Sequence, residues 1–479
     1  MNLMERSLLE THQEDFFAVK SEYKFAGYLT MKDYDFTIVG AGLPGIVAAL
    51  VLANKGQRCL LLETAPNIGG LLRSYEVDGY TFDLGTHFAN FTGIDYLDDL
   101  LFSGIGGDWE EYPFLAAGNF WNGRLNEVSE SPDLTSLSIE GHYKCLGEML
   151  SAPGWHDHRD PENAKELLIS EYGQTLVDLF FDPIFEKLTG KKSDSLNHRA
   201  NLLFNLKRFS VLDANATFEL KKSEKFDSRV AFHHRKDFKF HRPCLYPKNG
   251  GIGNWIGQLE KKLYAAGVDV RTNVQIERVD THNGMVRSLS IDGKAIETKG
   301  LFWSAATATL CKLMGVDVEL IRTEFRSTIL VGLVFDRKFL SECDYITVLD
   351  TKLTSFRVTL YENFRESKFG MFGATVEFIV APDKIENCDW ARVAEDEIRQ
   401  MGLCDIYATL ISQHVKVIPN GFPVQSNKSI ATLGEYARMA RSFNNIHLIG
   451  RASGEGWFLN DLIRQAYLTS IAVVDPQNK

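Results

Sequence analysis

Four short clusters in this chain have residue types and spacings that do chemistry. The first is Gly40-Ala41-Gly42-Leu43-Pro44-Gly45, with Glu63 following further on. Gly40 permits a tight turn out of a strand, Gly42 lets backbone approach a pyrophosphate, and Gly45 lets a helix pack on a sheet. The helix that follows this turn, with Leu43 and Pro44 in the turn before it, presents free N–H groups and a partial positive charge to phosphates. The carboxylate of Glu63, beside Thr64, accepts hydrogen bonds from ribose hydroxyls and repels a 2′-phosphate. The second cluster is Asn67-Ile68-Gly69-Gly70-Leu71-Leu72-Arg73, which lets the chain run close along an extended ligand and offers Arg73 to it. The third is Asp83-Leu84-Gly85-Thr86-His87-Phe88. Its imidazole exchanges a proton near neutral pH or donates a hydrogen bond. The fourth is Gly450-Arg451 and then Trp457-Phe458-Leu459-Asn460-Asp461, a glycine turn leading into a helix. A helix N-terminus there stabilises negative charge, with Asn460 or Asp461 as the expected cap.

Two further groups stand alone. Arg357 interrupts an apolar strand, where an inward guanidinium suits a carboxylate or phosphate and an outward one suits a surface acid. His156-Asp157-His158 and His233-His234 lack helical i, i+4 spacing and a third ligand, so they read as solvated loop residues and no metal is expected.

These clusters need elements to hold them. Tyr34–Val39 reads as a buried strand, Ile46–Asn54 as an apolar helix and Cys59–Leu62 as a second strand, a complete βαβ unit. Ala164–Lys187 carries a helical pattern. Tyr246–Gly253 reads as a loop leading into a helix over Asn254–Ala266. Val268–Val279 and Met285–Ile291 read as strands about an Asn283-Gly284 turn. Gly300–Ala305 is a further strand, Thr328–Val380 is strand-rich, Ala391–Met401 is helical, and Ile446–Gly450 is a strand before a helix over Asp461–Val473. At 479 residues the chain is too long for one core. A net charge of −11 disfavours nucleic acid as a partner. No apolar run is long enough for a membrane span, and the first thirty residues lack the apolar core of a signal peptide. Seven scattered cysteines without a CxxC pair point to a reduced, cytoplasmic protein.

A double glycine soon after the ribose acid, followed by a basic residue, is typical of flavoproteins, so FAD is the expected dinucleotide. Together with Gly450-Arg451, these motifs resemble the flavin amine oxidase and protoporphyrinogen oxidase superfamily, which includes the UDP-galactopyranose mutases. The segments Glu171–Gly190, Tyr246–Gly253 and Phe356–Phe364 carry weaker pieces of the same likeness. The resemblance implies an α/β fold in which a discontinuous Rossmann-type FAD-binding domain (31–111, 245–310 and 421–479) joins a mixed α+β substrate domain. The latter comprises a helical part, 112–244, and a sheet part, 311–420, and residues 1–30 form an N-terminal extension. It further implies that Ile276 meets the adenine, that Gly85, Thr86, His87 and Ala305 lie by the cofactor, and that Gly450, Arg451, Leu459 and Asn460 lie by the pyrophosphate and flavin edge. His87, Arg357 and Trp457 are the expected catalytic residues. The mutases carry a Trp where this chain has Thr189, and a Tyr-rich segment where it has Trp457 and Phe458, which argues against UDP-galactose as substrate. The leading expectation is an FAD-dependent oxidoreductase taking hydride from a small amine, sugar derivative or related compound. A redox-neutral nucleotide-sugar mutase and a flavin-binding protein without turnover are the alternatives. Oligomeric state, electron acceptor and substrate stay open.

Overall fold

The structure is a computed structural model, and it describes residues 34–103, 109–155, 159–237, 243–316, 324–366, 370–456 and 458–475. Trp457, His156 and His158 lie outside these residues, as does the N-terminal extension.

The first strand, β1 (Tyr34–Val39), feeds helix α1 (Leu43–Asn54), which leads to β2 (Cys59–Leu62). α1 is apolar all round, LPGIVAALVLAN, so it has no face to give to water and is buried from Gly45 to Leu52. β1 lies between β2 and strand Lys294–Trp303, parallel to both. Asp269–Arg271 adds a parallel strand outside β2, and Ile446–Leu448 pairs in parallel with Lys294–Trp303. The antiparallel strands Met285–Ile291 and Ile276–His282 complete this seven-stranded sheet. Helices Gly253–Ala265 and Leu459–Val474 share one apolar cluster with α1, through residues such as Trp255, Leu259, Ile463 and Ala466.

A second seven-stranded sheet runs in the order Leu410–Pro423, Phe325–Phe335, Phe372–Val380, Ser355–Leu360, Tyr345–Val348, Ala117–Trp121 and Arg124–Asn126. It is antiparallel except where Tyr345–Val348 meets Ala117–Trp121. The helix Trp390–Gln400 packs Trp390, Ala394 and Ile398 into the same cluster as Ile329, Val331 and Leu333 of this sheet. The hairpin of Ser74–Val77 and Tyr80–Asp83 lies against other residues of it. A side chain at Gly332 or Gly373 would strike Phe82 or Tyr80, so these glycines allow the approach.

Several boundaries differ from the sequence reading. Ala164–Lys187 is broken: one helix ends at Tyr172, Gly173 follows at φ 87°, a π-turn spans Val177–Phe181, and a helix over Asp182–Thr189 carries Pro183 in its first turn. Positive φ at Gly173 stops the first helix. Cys244–Pro247 is a strand paired with Trp109–Tyr112, because strand pairing supplies partners for buried backbone that a loop would leave unbonded. Val268–Val279 splits into Asp269–Arg271 and Ile276–His282, which pair with different neighbours. Residues 112–244 are not only helical, since they supply two strands at one edge of the second sheet. Among the described residues no helix is long and apolar enough to cross a membrane.

Candidate active site

The glycines after β1 are fixed by close contacts. Gly40 has φ 93°, and a Cβ there would sit 2.3 Å from Ser304 Oγ; Ser304 Oγ itself donates to the carbonyls of Val39 and Gly40. A Cβ on Gly45 would lie 1.9 Å from the Gly40 carbonyl oxygen, so this position packs helix on turn. Gly42 differs. The nearest protein atom to its Cβ position is Pro44 Cδ at 3.9 Å, leaving open space above the backbone. Gly42 is also the N-cap of α1 and makes no side-chain capping bond, so the first amides of α1, from Leu43 on, have no side-chain acceptor there.

Two other glycine turns close on this point. Gly69 N donates to the Ala41 carbonyl at 2.7 Å, and the Cβ position of Gly70 (φ 62°) is 3.7 Å from Gly42 Cα. Gly450 (φ 61°) rests on Pro44, with 3.2 Å from its Cβ position to the ring. Its N–H donates to Gln465 Oε1. Ala305 N lies 3.6 Å from the Gly40 Cβ position. Glu63 Oε2 accepts from Ala41 N at 2.8 Å and Oε1 from Ala65 N at 2.9 Å, which anchors the carboxylate beside the turn. Thr64 Oγ1 adds a longer bond to the same carboxylate. The segment entering strand Ile276–His282 follows Glu63 closely, since Val274 N donates to the Glu63 carbonyl and Asn273 N to that of Ala65. Leu71 is exposed, and Arg73 Nε folds back to the Gly70 carbonyl at 2.7 Å.

The last helix begins at Leu459, with Phe458 as its N-cap and no side-chain capping bond. The expected cap at Asn460 or Asp461 is therefore corrected: both lie inside the first turn, where a side chain is past the capping position, and Asn460 Nδ2 donates to the Phe91 carbonyl. Two uncapped helix starts, open space over Gly42 and an anchored carboxylate form a donor set that fits the phosphates and ribose of a dinucleotide.

A separate buried polar group is one of which the sequence shows only part. Arg357, in strand Ser355–Leu360, faces Glu377 in strand Phe372–Val380: Nε donates to Oε1 at 2.8 Å and Nη2 to Oε2 at 2.9 Å. The Glu377 side chain is 3% exposed and that of Arg357 24%, so the partner is a buried acid, not a surface one. Burial pushes the Glu377 carboxyl up, but the Arg357 charge and its hydrogen bonds outweigh this and hold it below the usual range. Glu377 also accepts from Thr86 N at 3.2 Å and Thr86 Oγ1 at 2.9 Å, and Thr86 Oγ1 meets Thr359 Oγ1. Gly85 sits against His87, and the His87 Nε2 atom is buried without a hydrogen-bond partner. Burial, then the neighbouring Arg357 charge, push the His87 imidazole down to about 4, and Arg451 acts in the same direction. Arg451, next to Gly450, thus stands near enough to His87 to act on it.

Glu377 was missed. Its signal was a lone acid in the apolar run FGATVEFIV, the counterpart of the lone Arg357 that was noticed. Arg357 opens onto a cleft of about 260 Å³ shared with Lys207, Arg208, Tyr345, Phe356 and Phe458. Lys207 Nζ stands 5.8 Å from the Phe458 ring centre, a cation–π distance. Elsewhere, His233 Nδ1 pairs with Asp133 at 3.4 Å.

Comparison with known proteins agrees with this architecture. Residues 38–100 match the family described as NAD(P)-binding Rossmann-like domain. A chloroplastic prolycopene isomerase of Daucus carota is 46% identical over 55 residues, covering 12% of this chain and 9% of that protein. A 4,4'-diapophytoene desaturase (4,4'-diaponeurosporene-forming) of Staphylococcus haemolyticus is 30% identical over 105 residues, covering 21% of this chain and 20% of that protein. The chain thus spans a fifth or less of the length of these two relatives. Among solved structures, a reduced UDP-galactopyranose mutase superposes with TM-score 0.73 at 16% identity, covering 93% of this chain and 96% of that one. Cyclohexylamine oxidase from Brevibacterium oxydans superposes with TM-score 0.60 at 13% identity, covering 94% and 100%. The likeness to these structures is one of fold: a Rossmann-like nucleotide-binding unit joined to a second, largely antiparallel sheet.

Proposed function

We propose that this protein is an FAD-dependent oxidoreductase that takes hydride from a C–H bond of a small, anionic molecule. The carrying observation is a chain of contacts: the open turn at Gly42 leads through Pro44 to the Gly450 turn, Arg451 beside it acts on His87, and His87 lies by the Arg357–Glu377 pair, whose Arg357 lines a basic and aromatic cleft. In this reading residues 31–111, 245–310 and 421–479 hold FAD, while 112–244 and 311–420 hold substrate. Gly40, Gly42, Leu43, Pro44, Gly45, Gly70, Leu71, Arg73 and Gly450 surround the pyrophosphate. Glu63 and Thr64 take the ribose and Ile276 the adenine. Ala305, Gly85, Thr86, His87, Arg451, Leu459 and Asn460 border the ring.

FAD, when bound, supplies the acceptance of two electrons as a hydride at N5. The chain supplies position and field. Arg357, held by Glu377, binds the substrate's anionic group, with Lys207 and Arg208 adding charge. Phe356 and Phe458 exclude water from the reacting face. A histidine pushed down to about 4 is neutral at pH 7 and a weak base, so His87 Nε2 acts chiefly as a hydrogen-bonding partner that fixes orientation. Six of the seven cysteines are buried, all are free, and we place the enzyme in the cytoplasm.

A second reading is a redox-neutral mutase acting on a nucleotide sugar, favoured by the cations and aromatic rings of the same cleft. Anaerobic titration separates the two. Bleaching of the bound flavin by an amine or sugar derivative that carries a carboxylate or phosphate supports oxidation. Turnover of a sugar nucleotide by pre-reduced protein, with no net electron transfer, supports the mutase. Protein that stays colourless after incubation with excess FAD refutes both.

A further inference from the structure

A second cleft, of about 310 Å³, lies at the edge of the second sheet, lined by Trp121, Arg124, Asn126, Glu127, Ser136 and His233 among others. It shares one wall with the Arg357 cleft: Val128 and Asp133 face this second cleft, and Glu130, Ser131 and Pro132 face the Arg357 cleft.

Its polar groups are unevenly satisfied. Asn119 Nδ2 is fully used, donating to the carbonyls of Ser129 and Ser131. Asp133 is also used: Oδ1 accepts from Thr135 N, and Oδ2 from Thr135 Oγ1 at 2.7 Å with His233 Nδ1 at 3.4 Å. Asn126 is half used, since Oδ1 accepts from Val128 N while Nδ2 is buried with no partner. Ser136 Oγ is likewise buried with no partner. Asn126 and Ser136 both line the cleft, and an unmet buried donor or hydroxyl costs about 1–3 kcal/mol, so a turn of either side chain towards an outside group in the cleft recovers that cost.

The charges select the class of ligand. Arg124 is opposed by Glu127 and Asp133, which disfavours a strong anion. The Asp133 carboxylate is already engaged, and the described residues hold no group of three metal-ligating side chains, so a cation lacks a cage. Trp121, packed edge-on against Phe180 and only 8% exposed, with Leu125 and Val128, gives an apolar wall. A ligand with hydroxyls for Asn126 and Ser136 and an apolar C–H face for the wall is a saccharide ring. We propose that this cleft is a second ligand site, for one neutral sugar ring, independent of the flavin chemistry.

Saturation-transfer NMR with D-glucose, D-galactose and N-acetyl-D-glucosamine tests this on the intact, flavin-loaded protein. At least one sugar is expected to receive saturation. Asn126→Ala and Ser136→Phe each lower its affinity about five-fold or more, the loss of one hydrogen bond or of the space. Bound-flavin absorbance stays at the wild-type level in both. Where either variant loses its flavin, Arg124→Ala, an exposed position, carries the comparison and is expected to weaken the same sugar. Absence of transfer to all three sugars overturns the proposal. So does transfer that survives the substitutions unchanged, because the sugar then sits elsewhere.

Discussion

Replacing Glu377 by Met removes one half of a buried ion pair and strands the other. Arg357 would keep its guanidinium with its side chain 24% exposed and both carboxylate bonds gone. Breaking such a pair costs about 3–5 kcal/mol, and the partial opening of Arg357 to the cleft places this variant near about 3 kcal/mol. Arg357→Met strands Glu377 instead, with a side chain 3% exposed and only the two bonds from Thr86 left, and costs about as much or more. The double variant carries no stranded charge, so it is expected to be more stable than either single one, with a coupling of about 3 kcal/mol. Urea unfolding of the flavin-free protein, followed by fluorescence, measures the cycle. The pH dependence has a definite sign. Because the native Glu377 carboxyl is held below its usual range, its contribution is present above about pH 4.3 and is lost as pH falls through the native value. If the double variant loses as much as the two single variants summed, Arg357 and Glu377 do not act as one unit and the argument for a held guanidinium fails.

Two further perturbations read the cradle and the histidine. Gly42→Ala meets no protein atom within 3.9 Å and has an ordinary φ of −67°, so the apo fold should stay within about 0.5 kcal/mol of wild type while FAD loading is lost. Gly45→Ala drives a methyl into the Gly40 carbonyl and should destabilise the fold itself. Equal flavin absorbance in Gly42→Ala and wild type would remove the pyrophosphate from this turn. For His87, the unfolded chain takes up a proton near pH 6.5 and the native state only near 4, so stability falls on acidification between these values, by up to about 3 kcal/mol. His87→Gln should flatten that loss without abolishing it, because His447 is pushed down to about 4 by burial as well. Superimposable stability–pH curves for variant and wild type would contradict a buried neutral His87.

The βαβ unit was legible because each of its signals is local. β1, α1 and β2 were read from apolar runs and a glycine spacing, and the strand bounds Tyr34–Val39 and Cys59–Leu62 coincide with the observed ones. The break at Gly173 was written in the sequence too, but the apolar pattern continues across it and hides the stop. The start of the last helix was misplaced because Asn460 and Asp461 are good caps, whereas Phe458 takes the position with an extended backbone and no side-chain bond.

What the sequence by itself determined is the turn that can cradle a dinucleotide, since those glycines act through backbone conformation within a few residues. Only the tertiary structure decided that Arg357 points inward, because alternation along a strand allows both faces and the choice depends on Glu377 in the neighbouring strand. The same holds for His87. Burial beside Arg357 and Glu377, residues about 270 and 290 positions away, fixes its charge state, because desolvation and Coulomb forces act through space and not along the chain.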